Sequence, residues 1–209
     1  MKKVLLLTPL LLWSLPAQAH PHVMVSVTTE VIFTEGKVAA IRHHWTFDDM
    51  YSAFVTANLG QNGKDPTTQE LQPVAQTNIE SLKEYEYFTF PKVNGKKAAF
   101  GAPFDYSMTF DGKDKTATLH FTMPLTEAAR SKLFVFQIYD PSYFVAFQFD
   151  KGDPVKLLSA PQGCSLSVSK PRPLDGEEAK KLDESFFSGL SPGTDFGAKL
   201  ADRAIVACP

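Results

Sequence analysis

The sequence predicts a mainly β, α+β domain, in which an antiparallel β-sandwich-like core carries two or three added helices. Apolar and polar residues alternate in several short segments, and turn residues such as Asn94-Gly95 and Asp111-Gly112 separate these segments. Other stretches repeat apolar residues every three or four positions, as helices do. The composition, 44% hydrophobic and 12% aromatic, is typical of a folded protein rather than a disordered one.

Residues 1–19 are expected to be a cleaved signal peptide. Two lysines precede an apolar run from Val4 to Leu15, and the triplet Ala17-Gln18-Ala19 then supplies a small-residue cleavage site. The apolar run is shorter than the ~20 residues of a membrane span. Residues 20–209 are therefore expected to form a single domain in the periplasm, without direct membrane insertion.

The first element of the domain is predicted to be a β-hairpin. Apolar residues occupy the odd positions from Val23 to Phe33 and again from Ile41 to Phe47, with a turn around Gly36. Both apolar sets share one face if the paired residue numbers sum to an even value, and the short glycine turn gives about 72. Asp48 follows as the expected N-cap of a short helix.

The rest of the chain is expected to alternate helices and strands. Leu71, Ala75 and Ile79 predict a helix over 68–84, with Pro73 early in it. Strands are expected over 85–90, 104–110, 116–123, 133–139, 143–149 and 204–208, and a short helix over 175–187.

The remaining composition restricts the partners and the chemistry. The chain carries 21 Lys+Arg against 23 Asp+Glu without a basic cluster, so neither nucleic acid nor anionic lipid is an expected partner. No nucleophile elbow, zinc-protease motif, P-loop or dinucleotide fingerprint is present, and no enzymatic activity is expected. Cys164 and Cys208 are an even pair in an oxidising compartment and are expected to form a disulfide.

The strongest candidate for chemistry is the predicted mature N-terminus. Cleavage after Ala19 would place an α-amine and the imidazoles of His20 and His22 within three residues. These nitrogens lose their protons near neutral pH and suit zinc, nickel or copper. The predicted hairpin register brings Asp48 opposite Met24, close to His22, which makes Asp48 a candidate third ligand as well as a cap.

Three further histidines have other expected roles. His44 would lie opposite Thr28, roughly 20 Å along the strand from His22, and is excluded as a co-ligand by that distance. His43 falls on the apolar face and is expected to be a core histidine. For His120 no partner can be named, and a structural role is expected.

A possible partner surface follows from the aromatic segment around the turn at residues 139–143. Tyr139, Asp140 and Tyr143 precede an aromatic strand, and this flank could line an interaction surface. The first interpretation of the segment is a turn, with Asp140 held extended by the proline that follows it.

The sequence contains the segments HPHV at 20–23, WTFDDMYS at 45–52, YDPSYFVAF at 139–147, APQGC at 160–164 and VACP at 206–209. These five segments, in this order, resemble the bacterial periplasmic domain-of-unknown-function family that includes the zinc-uptake accessory protein ZevA. The resemblance covers nearly the whole mature chain and implies export and an association with nickel/cobalt-exporter-like inner-membrane permeases.

Together the residues and the resemblance predict a periplasmic accessory protein for divalent metal homeostasis, which binds zinc or nickel and partners a metal permease. One alternative is a protein-interaction module that docks on a permease and binds no metal. Another is a copper-binding protein in which the amine and ring of His20 form a histidine brace.

Overall fold

A computed structural model describes residues 21–60, 63–180, 182, 186–187, 189 and 195–209. This part of the chain is rich in β-structure. Its strands are β1 (Val23–Thr34), β2 (Lys37–Phe47), β3 (Thr89–Val93), β4 (Lys96–Lys97), β5 (Phe104–Asp111), β6 (Thr116–Ala129), β7 (Leu133–Ile138), β8 (Val145–Phe149), β9 (Val155–Leu158), β10 (Ser165–Ser169) and β11 (Arg203–Ala207). Its helices are α1 (Asp49–Thr56), α2 (Thr68–Leu82), α3 (Gly176–Lys180) and α4 (Phe196–Leu200), with a 3₁₀ segment over Lys83–Phe88.

The strands form two sheets. The six-stranded sheet has the order β5-β6-β2-β1-β8, with β9 also paired to β1, and the five-stranded sheet has the order β10-β11-β7-β3-β4. Buried residues from both sheets belong to one hydrophobic core, so the sheets pack face to face as the sequence predicts.

The hairpin β1–β2 has the predicted register. Val27 pairs with Trp45 and Thr28 with His44, so the apolar odd positions of both strands enter the core. The sequence predicts an antiparallel arrangement, but the other two neighbours of β1, the strands β8 and β9, both run parallel to it. Parallel neighbours need long connections, and a local sequence pattern does not reveal which strands they join.

Helix α2 forms because its N-terminus is well capped and one of its faces is apolar. The Thr67 hydroxyl accepts the Glu70 N–H while the Glu70 carboxylate accepts the Thr67 N–H, which is a capping box. Pro73 is the sixth residue of the helix, so its missing N–H removes one backbone hydrogen bond, which the capping box and the buried apolar face offset. The face with Leu71 and Ala75 is fully buried in the core.

Two predicted segments differ from the structure. A strand was expected over 85–90, but the 3₁₀ segment occupies most of it, with left-handed backbone at Glu86 and Tyr87, and β3 begins at Thr89. Of the predicted helix over 175–187, α3 covers Gly176–Lys180 and residue 182 is not helical, while residues 181 and 183–185 lie outside the described residues.

The predicted disulfide and the core histidine are both present. Cys164 and Cys208 are bonded, which ties the start of β10 to the end of β11. His43 is fully buried between the sheets: its Nδ1 lies 2.8 Å from the Thr29 hydroxyl and its Nε2 lies 3.3 Å from the Thr89 hydroxyl. No helix in the described part of the chain is long and apolar enough to cross a membrane.

Candidate metal site at the start of strand β1

His22 lies at the surface, immediately before β1. Its backbone N–H donates to the Phe144 carbonyl at 2.9 Å, and its ring stacks on the Phe144 ring with centroids 4.5 Å apart. The parallel pairing of Val23 with Val145 holds the two segments together. The structure therefore brings the predicted metal ligand His22 beside the predicted aromatic partner segment, two features that are far apart in the sequence.

His20 lies outside the described residues, as does the rest of the segment before Pro21. The amine and the first imidazole of the proposed site are thus placed by sequence alone.

Asp48 connects the two strands of the hairpin to helix α1. Its Oδ1 accepts the Tyr51 N–H at 2.8 Å, which is the predicted N-cap bond, and its Oδ2 accepts the Met24 N–H at 2.6 Å. The Asp48 N–H in turn donates to the Met24 carbonyl at 3.0 Å. Both carboxylate oxygens of this candidate ligand are therefore already used by backbone amides.

Two methionines lie around Asp48 and add thioether sulfurs to this end of the molecule. Met24 follows Val23 on β1 with 41% of its surface exposed, and Met50 lies in the first turn of α1 with 67% exposed. Thioethers are soft ligands that favour copper(I).

The predicted partner surface divides into an internal part and an external part. Tyr139 is buried and stacks on Phe90 with centroids 4.3 Å apart, and burial raises the pKa of its hydroxyl to about 12. Asp140 is also buried. Its carboxylate accepts the Ser142 N–H and hydroxyl and the Val145 N–H, so it organises the turn from inside.

The external part of this segment consists of Tyr143 and Phe144. Tyr143 is half-buried beside Phe196 and adopts a left-handed backbone with φ 60°. Phe144 is 46% exposed. Tyr139 and Asp140 are therefore supports of the turn, and a partner would meet Phe144 next to His22.

The structure also contains a histidine pair that the sequence interpretation missed. His44 on β2 and His120 on β6 are direct register partners, and their Nδ1 atoms lie 2.6 Å apart. The distance of His44 from His22 agrees with the prediction, since His44 does pair with Thr28. For His120, the alternation in β6 indicates the polar face, but only the pairing of β2 with β6 identifies its partner.

Within the described ranges, no group of three or more His, Cys, Asp or Glu side chains is arranged to hold a metal ion. A metal site that includes described residues of these types would therefore take one or two ligands from them. Its other ligands would have to come from His20, the α-amine, water or a partner.

The fold and these sites define a β-rich α+β protein with a disulfide, an exposed histidine before β1 and a half-buried histidine pair on the six-stranded sheet. The chain belongs to the family described as Protein of unknown function (DUF1007), which matches residues 5–208. It is similar to an uncharacterized protein of Haemophilus influenzae (strain ATCC 51907 / DSM 11121 / KW20 / Rd), with 24% identity over 194 residues and 91% of each chain covered. No solved structure gives a significant match.

Proposed function

We propose that the protein is an exported accessory protein for divalent metal homeostasis, without catalytic activity. It binds zinc or nickel through the mature N-terminus, with His20 and His22 as ligands, and presents the ion to an inner-membrane permease. The observation that carries this proposal is the stacking of His22 on Phe144. A metal held at His22 would lie at the same surface as the aromatic segment proposed to contact the permease.

Two further points support the proposal. The sequence resembles the family of the zinc-uptake accessory protein ZevA, whose members are associated with metal permeases. The predicted signal peptide and the disulfide between Cys164 and Cys208 both suit an oxidising compartment outside the cytoplasm.

Calorimetry on correctly processed, metal-free protein tests the metal site. Zinc or nickel is expected to bind with one equivalent assigned to the N-terminus, and His20→Ala combined with His22→Ala is expected to abolish that equivalent. Ser26→Ala, a change on the same exposed side of β1, serves as the matched control. An unchanged affinity in the double variant would show that the proposed site is wrong. A tag that converts the α-amine into an amide is expected to weaken binding.

Co-purification from solubilised inner membranes tests the partner surface. Phe144→Ser is expected to reduce capture of a permease, whereas Phe54→Ser, which changes another exposed phenylalanine on α1, is expected to have no effect. Capture of a permease by a protein that binds no metal would favour the alternative of a protein-interaction module.

A copper-binding role is the second candidate, and the exposed thioethers of Met24 and Met50 favour it. Copper(II) outcompetes zinc and nickel at nitrogen ligands, and thioethers add affinity for copper(I). Competition among the three divalent ions, repeated under reducing conditions with Met24→Leu, separates this role from zinc or nickel binding.

A further inference from the structure

Two imidazoles face each other on the outer side of the six-stranded sheet. His44 and His120 are directly opposite in the antiparallel β2–β6 pair, with ring centroids 4.9 Å apart and ring planes inclined by 65°. Directly opposed residues have Cβ atoms only about 4.5–5.5 Å apart. The backbone of two central strands therefore fixes this pair, unlike a chance contact between surface side chains.

The short distance limits how many protons the pair can hold. The two Nδ1 atoms lie 2.6 Å apart, so at most one proton lies between them and at least one nitrogen presents a lone pair. Partial burial lowers the pKa of both rings, a direction that favours the neutral form of imidazole. Neutral imidazole is the form of histidine that binds metal ions.

The second ring nitrogen of His120 has an oxygen partner of the kind found around metal ligands. Its Nε2 lies 2.8 Å from the Thr109 hydroxyl on β5. When Nε2 carries the proton and donates it to Thr109, Nδ1 is left with its lone pair directed at His44. Metal-bound histidines usually have this arrangement, in which the other ring N–H donates to a protein oxygen.

The charges around the pair are mixed. Glu30 on β1 raises the pKa of His44, while Arg42 on β2 and Lys156 on β9 lower it, and Glu30 forms an ion pair with Arg42 at 3.0 Å. The neighbouring pair on the same two strands is neutral, since the hydroxyls of Thr46 and Thr118 lie 3.0 Å apart. A cation between the rings would thus have the Glu30 carboxylate nearby, but the ion pair with Arg42 already neutralises part of its charge.

We propose that His44 and His120 form a second metal site, which takes a divalent ion of the zinc, nickel or copper series through their facing Nδ1 atoms. Metal–nitrogen bonds of about 2.0–2.1 Å at a tetrahedral angle place two ligands about 3.3 Å apart, so the pair must open by about 0.7 Å. Two protein nitrogens leave the remaining coordination positions to water or to a donor from a partner. Such an open site suits the transfer of an ion rather than its storage.

This site is distinct from the proposed N-terminal one. His44 lies opposite Thr28, and Thr28 is six residues along β1 from His22, which corresponds to roughly 20 Å. One ion cannot bridge the two places, so each site can be present without the other.

Histidine ring NMR of the processed full chain tests the proposal without any substitution. On addition of zinc, the ring signals of His44 and His120 are expected to shift together, while those of buried His43 stay in place as an internal control. Unchanged signals from His44 and His120 in a large excess of zinc, nickel and copper would overturn the proposal. A shift of His22 signals alone would keep the proposed function and still reject this site.

Metal stoichiometry in variants gives an independent test. His120→Gln is expected to remove one equivalent of bound metal, and Thr109→Val to weaken that equivalent about tenfold or more. Thr118→Val changes the adjacent position of β6 on the same face and is expected to leave metal binding unchanged. His22→Ala is expected to remove the other equivalent only, and a His120→Gln protein that folds and keeps both equivalents would refute the site.

Discussion

The buried histidine His43 predicts a specific loss of stability in acid. Its ring is fully buried in the core and is held between the hydroxyls of Thr29 and Thr89, which belong to opposite sheets. Burial, with a smaller contribution from the charge of His44, lowers the pKa of His43 from 6.5 to about 3. The folded state therefore keeps this ring neutral at a pH where the unfolded chain binds a proton.

The sign and size of the effect follow from proton linkage. The contribution of a neutral His43 is fully present above pH 6.5 and is lost as the pH falls from 6.5 towards 3. Because one pKa unit corresponds to about 1.36 kcal/mol, lowering the pH from 7 to 5 is expected to cost about 2 kcal/mol at this residue. Other groups also titrate in this range, so the effect must be measured as a difference between proteins.

The comparison is between the wild type and His43→Gln, whose amide is polar but does not titrate. Urea unfolding is followed by circular dichroism at pH 7, 6 and 5. The variant is expected to be less stable at pH 7 but to lose about 2 kcal/mol less than the wild type on going to pH 5. Equal losses in the two proteins would refute the claim that burial holds His43 neutral.

Three further predictions concern the framework around the sites. Replacing both cysteines of the disulfide with serine removes a cross-link between positions 44 residues apart and is expected to lower the free energy of unfolding by about 4 kcal/mol, measured by urea unfolding. Asp48→Ala removes the cap of α1 and the bond to the hairpin, and a loss of about 1–2 kcal/mol is expected in the same assay; no loss would show that the cap is unimportant. Gly197→Ala would place a Cβ 1.9 Å from the Asp140 carbonyl oxygen and is expected to cost about 1–3 kcal/mol, whereas Gly176→Ala meets nothing within 4 Å and should change the melting temperature little.

The parts of the fold that follow from local patterns could be predicted. The β1–β2 hairpin is one, because period-two alternation fixes which residues face the core and a short turn fixes the register. Helix α2 is another such part, because its apolar residues recur every three or four positions. A capping box at its N-terminus also stabilises it locally. The placement of β8 and β9 beside β1 could not be predicted, since it depends on long-range packing between parallel strands.

The same distinction applies to the two candidate sites. The candidate ligands His20 and His22 are only two positions apart in the sequence, so proposing them together needs no knowledge of the fold. The aromatic partner of His22 does need it, because Phe144 reaches the site through the parallel β1–β8 pair. Sequence reasoning thus proposed His20 and His22 as ligands, but it did not reveal that His22 lies beside Phe144.

The histidine pair shows how far a pattern of alternation can determine a site. Alternation predicts that His44 and His120 both lie on the polar faces of their strands, because their apolar neighbours occupy the odd positions. It does not predict that they meet, since a register slip of two residues between β2 and β6 would leave both apolar faces in the core. Such a slip would move the two histidines from opposed to diagonal positions, about 7–8 Å apart, too far for both to bind one ion through the facing Nδ1 atoms. The proposed second site is therefore a consequence of one particular register, and metal binding there would report directly on the pairing of these two strands.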